Sequence, residues 1–115
     1  MMNDAGLDHN DMIMSSDWSS FLANLVQIHQ GRMVAIERNN DSLLQNPPDQ
    51  GAPLQAIELR SRHKQPHLII TTAAQTYTIE APNLIWAIRS EHGELIAVEI
   101  LDGQERSTIM RFVDG

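Results

Sequence analysis

The chain has 115 residues, a formal net charge of −7, 42% hydrophobic residues and no cysteine. That length supports one domain around one core, and the apolar content argues against disorder. The missing cysteine excludes disulfides, thiolate metal sites and cysteine nucleophiles and fits a reducing cytoplasm, while the acidic balance disfavours nucleic-acid phosphates as partners.

Residues 1–15 read as a flexible, acidic N-terminal extension carrying Asp4, Asp8 and Asp11, with Met12, Ile13 and Met14 as its apolar exception. They lack the basic start and continuous apolar middle of a secretory signal. No apolar run in the chain is long enough to cross a bilayer, so no membrane partner is expected. The domain is expected over 16–115. Ser15, Ser16 and Asp17 are each suited to capping a helix N-terminus by accepting backbone N–H groups. Trp18, Phe21, Leu22, Leu25, Val26 and His29 then recur at helical spacing and form one apolar stripe. Gly31 ends the helix, because glycine enters the left-handed region without a side-chain clash.

Everything after Gly31 reads as β. Met33–Asn39 alternates, with Val34 and Ile36 on one face. Turn residues follow at Asn39-Asn40-Asp41-Ser42 and Asn46-Pro47-Pro48-Asp49-Gln50-Gly51, with Leu43 and Leu44 between them as possible anchors. Leu54–His63 points Ile57 and Leu59 inward and Glu58 and Arg60 outward. Lys64-Gln65-Pro66 predicts a turn before the β-branched His67–Thr72. Tyr77 and Ile79 share a face of Thr76–Glu80, and Pro82-Asn83 separates that strand from Leu84–Arg89, which carries Trp86. The turn Glu91–Glu94 leads into Leu95–Leu101. Asp102-Gly103 is a hairpin signal before the final strand, Ser107–Val113.

Short connections and the lack of a second helix exclude parallel crossovers. The expected fold class is therefore α+β: an N-terminal amphipathic helix, then a curved antiparallel β-meander or a partly open small barrel of about six or seven strands.

The chemistry-bearing residues are few. Five histidines occur, of which His63 and His67 flank a predicted turn, but their spacing matches no zinc motif, and no metal or cofactor is expected. Arg60, Arg62, His63, Lys64 and His67 form a basic cluster. It is a candidate interaction patch for an acidic partner or a phosphate, although charge on an edge strand more often guards against aggregation. No aromatic residue interleaves with it, so a stacking platform for single strands is not indicated. Glu91 and Glu94 bracket His92 in a turn of the kind that is usually wet. The chain has no G-x-S-x-G elbow, P-loop or G-x-G-x-x-G. His29, Tyr77 and Trp86 are candidates for the rim of a ligand pocket between helix and sheet, since a histidine and a tyrosine together can orient and protonate a ligand. Against that stands the commoner role of His29 as a packed structural residue and of Trp86 as core.

Several segments carry a family resemblance: Trp18 with Phe21-Leu22, His29-Gln30-Gly31, Val34-Ala35-Ile36-Glu37, Pro53-Leu54 with Ile57, Tyr77-Thr78-Ile79 with Pro82, and Asp102-Gly103 with Thr108 and Arg111-Phe112. In these the chain resembles a bacterial family of small proteins with a domain of unknown function, over about residues 17–112. Members of that family tend to carry histidine at the position of Tyr77. The resemblance implies no activity and assigns no site residues. The leading expectation is a non-catalytic protein-interaction or self-associating module, a homodimer or the binder of another protein. The alternative is a small-ligand-binding protein or small enzyme using the helix–sheet pocket.

Overall fold

The computed structural model describes residues 9–39 and 51–113. In chain order these form β1 (His9–Ile13), a 3-10 turn (Ser15–Asp17), α1 (Trp18–His29), β2 (Met33–Asn39), β3 (Ala52–Arg62), β4 (Gln65–Thr72), β5 (Thr76–Glu80), β6 (Pro82–Arg89), β7 (Leu95–Asp102) and β8 (Ser107–Phe112). The loop expected over 39–51, with Leu43 and Leu44, lies outside the described residues except for its two ends.

The helix forms where the apolar stripe placed it. Trp18, Leu22 and Leu25 are buried, with Phe21 packed beside them. Each such side chain contributes about 1.5–3 kcal/mol on leaving water. Its start differs from the expectation. No side-chain cap forms, and the Asp17 N–H donates instead to the Met14 carbonyl at 2.8 Å, closing the 3-10 turn. At the other end Gly31 takes φ +92°. The Gly31 N–H then donates to Leu54 O at 2.8 Å, and the Leu54 N–H donates to Arg32 O at 2.9 Å. The residue that stops the helix thus begins its attachment to β3.

The strands form one open eight-stranded antiparallel sheet, in the order β1-β6-β7-β8-β2-β3-β4-β5. It is made of two meanders, β2-β3-β4-β5 and β6-β7-β8, joined where β8 pairs with β2. This corrects the expected single run of six or seven strands. The added strand is β1, which precedes the helix, so α1 is not the first element. Part of the expected flexible extension is therefore a sheet edge, paired from His9↔Arg89 to Ile13↔Ile85. His-Asn-Asp-Met-Ile has no apolar alternation. Its strand conformation comes from the available edge of β6, a tertiary cause that a local pattern does not carry. Two contacts hold it: the Trp18 indole N–H donates to Ile13 O at 3.0 Å, and Arg89 Nε meets Asp11 Oδ2 at 3.3 Å.

Ala81 alone, at φ +53°, links β5 to β6. These strands stand far apart in the sheet order, yet two peptide units span only about 7 Å. The sheet must therefore curl back toward itself. Its inner face gathers Val34, Ile36, Leu54, Leu68, Ile70, Tyr77, Ile79, Ile85, Val98, Ile100 and Met110 around the helix stripe.

Two turns differ in detail from the sequence reading. The β3–β4 turn is His63-Lys64, both at positive φ and closed by the Arg62↔Gln65 pair, which is the twist a two-residue hairpin needs. Pro66 instead lies in β4, where its carbonyl accepts from the Ala81 N–H at 3.1 Å. The β7–β8 turn is longer than an Asp-Gly pair, since the Asp102 N–H donates to Arg106 O at 3.0 Å across Gly103, Gln104 and Glu105.

Replacing Trp18 with Phe keeps most of the packing and removes the donor to Ile13. The expected cost is about 1–2 kcal/mol in a urea titration, with faster hydrogen exchange in β1 than in β7. Unchanged β1 protection would contradict the anchoring role.

Candidate functional site

Strand alternation decides where the expected pocket residues stand. Tyr77 faces the core, and its hydroxyl oxygen accepts from Gln75 Nε2 at 2.6 Å. His29 lies at the end of α1 against Phe112, with ring centroids 4.7 Å apart. Arg32 sits 4.5 Å from the same Phe112 ring and 2.9 Å from His29 Nδ1. Arginine can only donate, so Nδ1 accepts. His29 is thus part of a packed His–Arg–Phe cluster. Trp86 falls between the buried Ile85 and Ala87 of β6 and so points to the opposite face. That placement corrects its reading as core. The three residues do not share a face, and none lines the cleft described below.

The basic cluster occupies the β3–β4 hairpin. Arg60 is exposed and ion-paired with Glu58, and its backbone partner is His67. Arg62 is placed by its pairing with Gln65, and His63 and Lys64 form the turn itself. Among the described residues β3 meets β2 only at Ala52 and Pro53, so its distal half is a sheet edge. That is where charge protects against strand addition. His63 and His67 are not brought into a ligand cluster. Among the described residues no three His, Asp or Glu side chains group as a metal site requires.

Two other features emerge. The first is the outer face of the β1-β6-β7-β8-β2 half. Cross-strand pairing puts Met12, Trp86, Glu99, Ile109 and Glu37 in one row. Leu84 and Ile88 flank Trp86 along β6, and Leu101 pairs with Leu84. Met12 is 48% exposed, and Leu84, Trp86, Ile88, Leu101 and Ile109 are half-buried. A solvated antiparallel face normally carries polar residues at these positions. Two polar pairs lie within the face: Ser107 Oγ donates to Glu99 at 2.8 Å, and Arg111 Nη1 to Glu37 at 2.6 Å.

The second is a cleft of about 360 Å³ where β5 curls over the ends of β2 and β8. It is lined by Arg38, Thr78, Glu80, Asp102, Arg106, Ser107 and Thr108. Arg38 continues the inward phase of Val34 and Ile36, pairs with Thr108, and donates from Nη2 to the Thr78 carbonyl at 2.8 Å. Asp102 continues the inward phase of Val98 and Ile100. Its carboxylate accepts from the backbone N–H groups of Gln104 (2.8 Å) and Arg106 (2.9 Å) and from Arg106 Nε (2.9 Å). Burial alone pushes the Asp102 carboxyl up. The two backbone donors and the Arg106 guanidinium outweigh burial and hold it below the ordinary aspartate range.

Sequence reasoning missed both features. A charged residue on the inward phase at a strand end, as at Arg38 and Asp102, was the available signal for the cleft. Apolar residues on the outward phase of three successive strands were the signal for the face.

No helix among the described residues is long and apolar enough to cross a membrane. Comparison with protein-family models, with curated proteins and with solved structures finds no match.

The depressed Asp102 pKa fixes a sign. The stabilisation is fully present above the unfolded-state value of about 3.8 and is lost as pH falls through the lower folded-state value. Asp102→Asn is expected to lower stability by about 1–3 kcal/mol at pH 7. The difference from the parent should shrink below about pH 4 in urea titrations. A difference that stays constant down to pH 2 would contradict the role of the carboxylate.

Proposed function

We propose that this chain is a non-catalytic interaction module that pairs with a second copy of itself through the outer face of the β1-β6-β7-β8-β2 half. The observation that carries the reading is Trp86, half-buried on the solvent side amid Leu84, Ile88, Leu101 and Ile109. Tryptophan is the residue type most enriched among those that dominate interface energies. Such a cluster gains by covering whatever water it still meets.

A second copy suits this face in charge as well as in polarity. Glu37 and Arg111 lie on neighbouring strands of the same surface. A two-fold axis through it can set each acid against the base of the other copy, and homodimers of this isologous kind are the commonest closed assemblies. The net charge of −7 disfavours the rival of a nucleic-acid partner. The helix–sheet pocket loses its support with the outward placement of Trp86. The one-residue Ala81 link supports the finer description of the fold as a partly open barrel. In that form the inner face is filled by its own core, and the outer face is what remains for association.

Sedimentation equilibrium tests this. The parent chain is expected to sediment as a dimer at tens of micromolar. Trp86→Glu should weaken association by about 2 kcal/mol or more, at least thirtyfold. Leu101→Lys, a second disruption on the same face, should do likewise without touching the aromatic site. A monomeric parent, or a Trp86→Glu chain that stays dimeric, would overturn the reading.

A further inference from the structure

We propose that the cleft between β5 and the β7–β8 turn binds a small zwitterion of the amino-acid type, its carboxylate on Arg38 and Arg106 and its ammonium on Glu80. This goes beyond the association reading and does not depend on it, since Leu84, Trp86, Ile88, Leu101 and Ile109 are not among the residues that line the cleft.

The donors come first. Arg38 spends one Nη2 hydrogen on the Thr78 carbonyl and has no carboxylate partner among the described residues. The other arginines paired in this way, Arg60, Arg89, Arg106 and Arg111, all meet acids. Because its hydrogen bond to a fixed backbone carbonyl orients the guanidinium, the remaining donors of Arg38 are held at the cleft with little rotamer entropy left to lose. Arg106 contributes differently. Its Nε is tied to Asp102 at 2.9 Å, which leaves the two terminal nitrogens without a protein partner among the described residues. Asp102 is thus a positioning residue for Arg106. Planar guanidinium forks are suited to carboxylate recognition.

Charge then narrows the ligand. Arg106 is neutralised by Asp102, leaving Arg38 and Glu80 as the unspent charges of opposite sign in one cleft. Glu80 forms no ion pair among the described residues. A lining whose charges cancel has no long-range preference for an anion. It does favour a molecule that carries both signs a few ångströms apart. Thr78 and Glu80 stand two residues apart on one strand, so their side chains leave the same face about 7 Å apart. The Arg38 guanidinium, tied to the Thr78 carbonyl, and Glu80, two residues further along β5, line the same cleft and offer one charge of each sign to a single small molecule. The hydroxyls of Thr78 and Thr108 supply further polar partners. A volume of about 360 Å³ lies at the small end of ligand sites.

The test is an amide chemical-shift titration of the full chain with L-serine and glycine as zwitterions. Sodium acetate, methylammonium chloride and inorganic phosphate carry one sign each. The expected result is saturable shifts at Thr78, Glu80, Arg106 and Thr108, with L-serine binding at least tenfold tighter than acetate or methylammonium. Arg38→Met should abolish that binding. Glu80→Gln should reduce L-serine to the level of acetate while leaving acetate unchanged, and it keeps the test valid if the Arg38 variant fails to fold. Absence of saturable shifts would overturn the proposal. So would phosphate or acetate matching L-serine, or L-serine binding that survives Glu80→Gln intact.

Discussion

The pairing of β8 with β2 is the join on which the rest of the molecule depends. Its ladder runs from Val34↔Phe112 to Asn39↔Ser107 and turns two separate meanders into one sheet. Without it, β6-β7-β8 with β1 and β2-β3-β4-β5 with the helix would each expose an apolar face. With it, Val34, Ile36 and Met110 are buried together, and the helix stripe closes on them. Antiparallel register also fixes side-chain direction, because a one-residue slip exchanges the two faces. The same register that buries Ile36 and Met110 therefore sends Glu37, Ile109 and Arg111 outward and sets Arg38 beside Thr108 at the inward end.

Polar groups mark where that inward face meets water. Arg38 and Asp102 each follow two apolar residues in phase at the end of a strand, and each is satisfied in a way that builds structure. Arg38 ties the β5 backbone to β2, while Asp102 organises the β7–β8 turn through three accepted hydrogen bonds. An unpaired carboxylate at 9% side-chain exposure would be costly; one with two backbone donors and a guanidinium is held ionised. The cleft forms where β5 meets the ends of β2 and β8, and it leaves some arginine donors unspent.

Much of the architecture was legible in the sequence, and its exceptions share a cause. The helix announced itself through Trp18, Leu22 and Leu25 and through Gly31, since a 3.6-residue period and a left-handed stop are local properties. The seven strands after it were legible from alternation and turn residues. β1 was not, because His9–Ile13 owes its conformation to β6, which lies more than seventy residues away in the chain. The turn after Arg62 was begun one residue late and ended two residues late because Pro66 reads as a breaker, yet it is accommodated in β4. The candidate pocket failed at Trp86. A tryptophan on a strand says nothing of which face it takes until its neighbours Ile85 and Ala87 are known to be core. The basic residues expected as an interaction patch fall on the β3–β4 hairpin, at a sheet edge among the described residues.

Core and outer surface are therefore two faces of one register, and the association proposed for this chain follows from the outer one. Isotope-filtered nuclear Overhauser spectroscopy on a mixture of labelled and unlabelled chains tests that claim most directly, since it reports only contacts between copies. The account predicts intermolecular signals linking the Trp86 indole with the methyl groups of Leu84, Ile88, Leu101 and Ile109, and none from Leu22 or Leu68. Intermolecular signals confined to α1 or to the β3–β4 hairpin would contradict it, as would a spectrum without any at concentrations where the chain is fully associated.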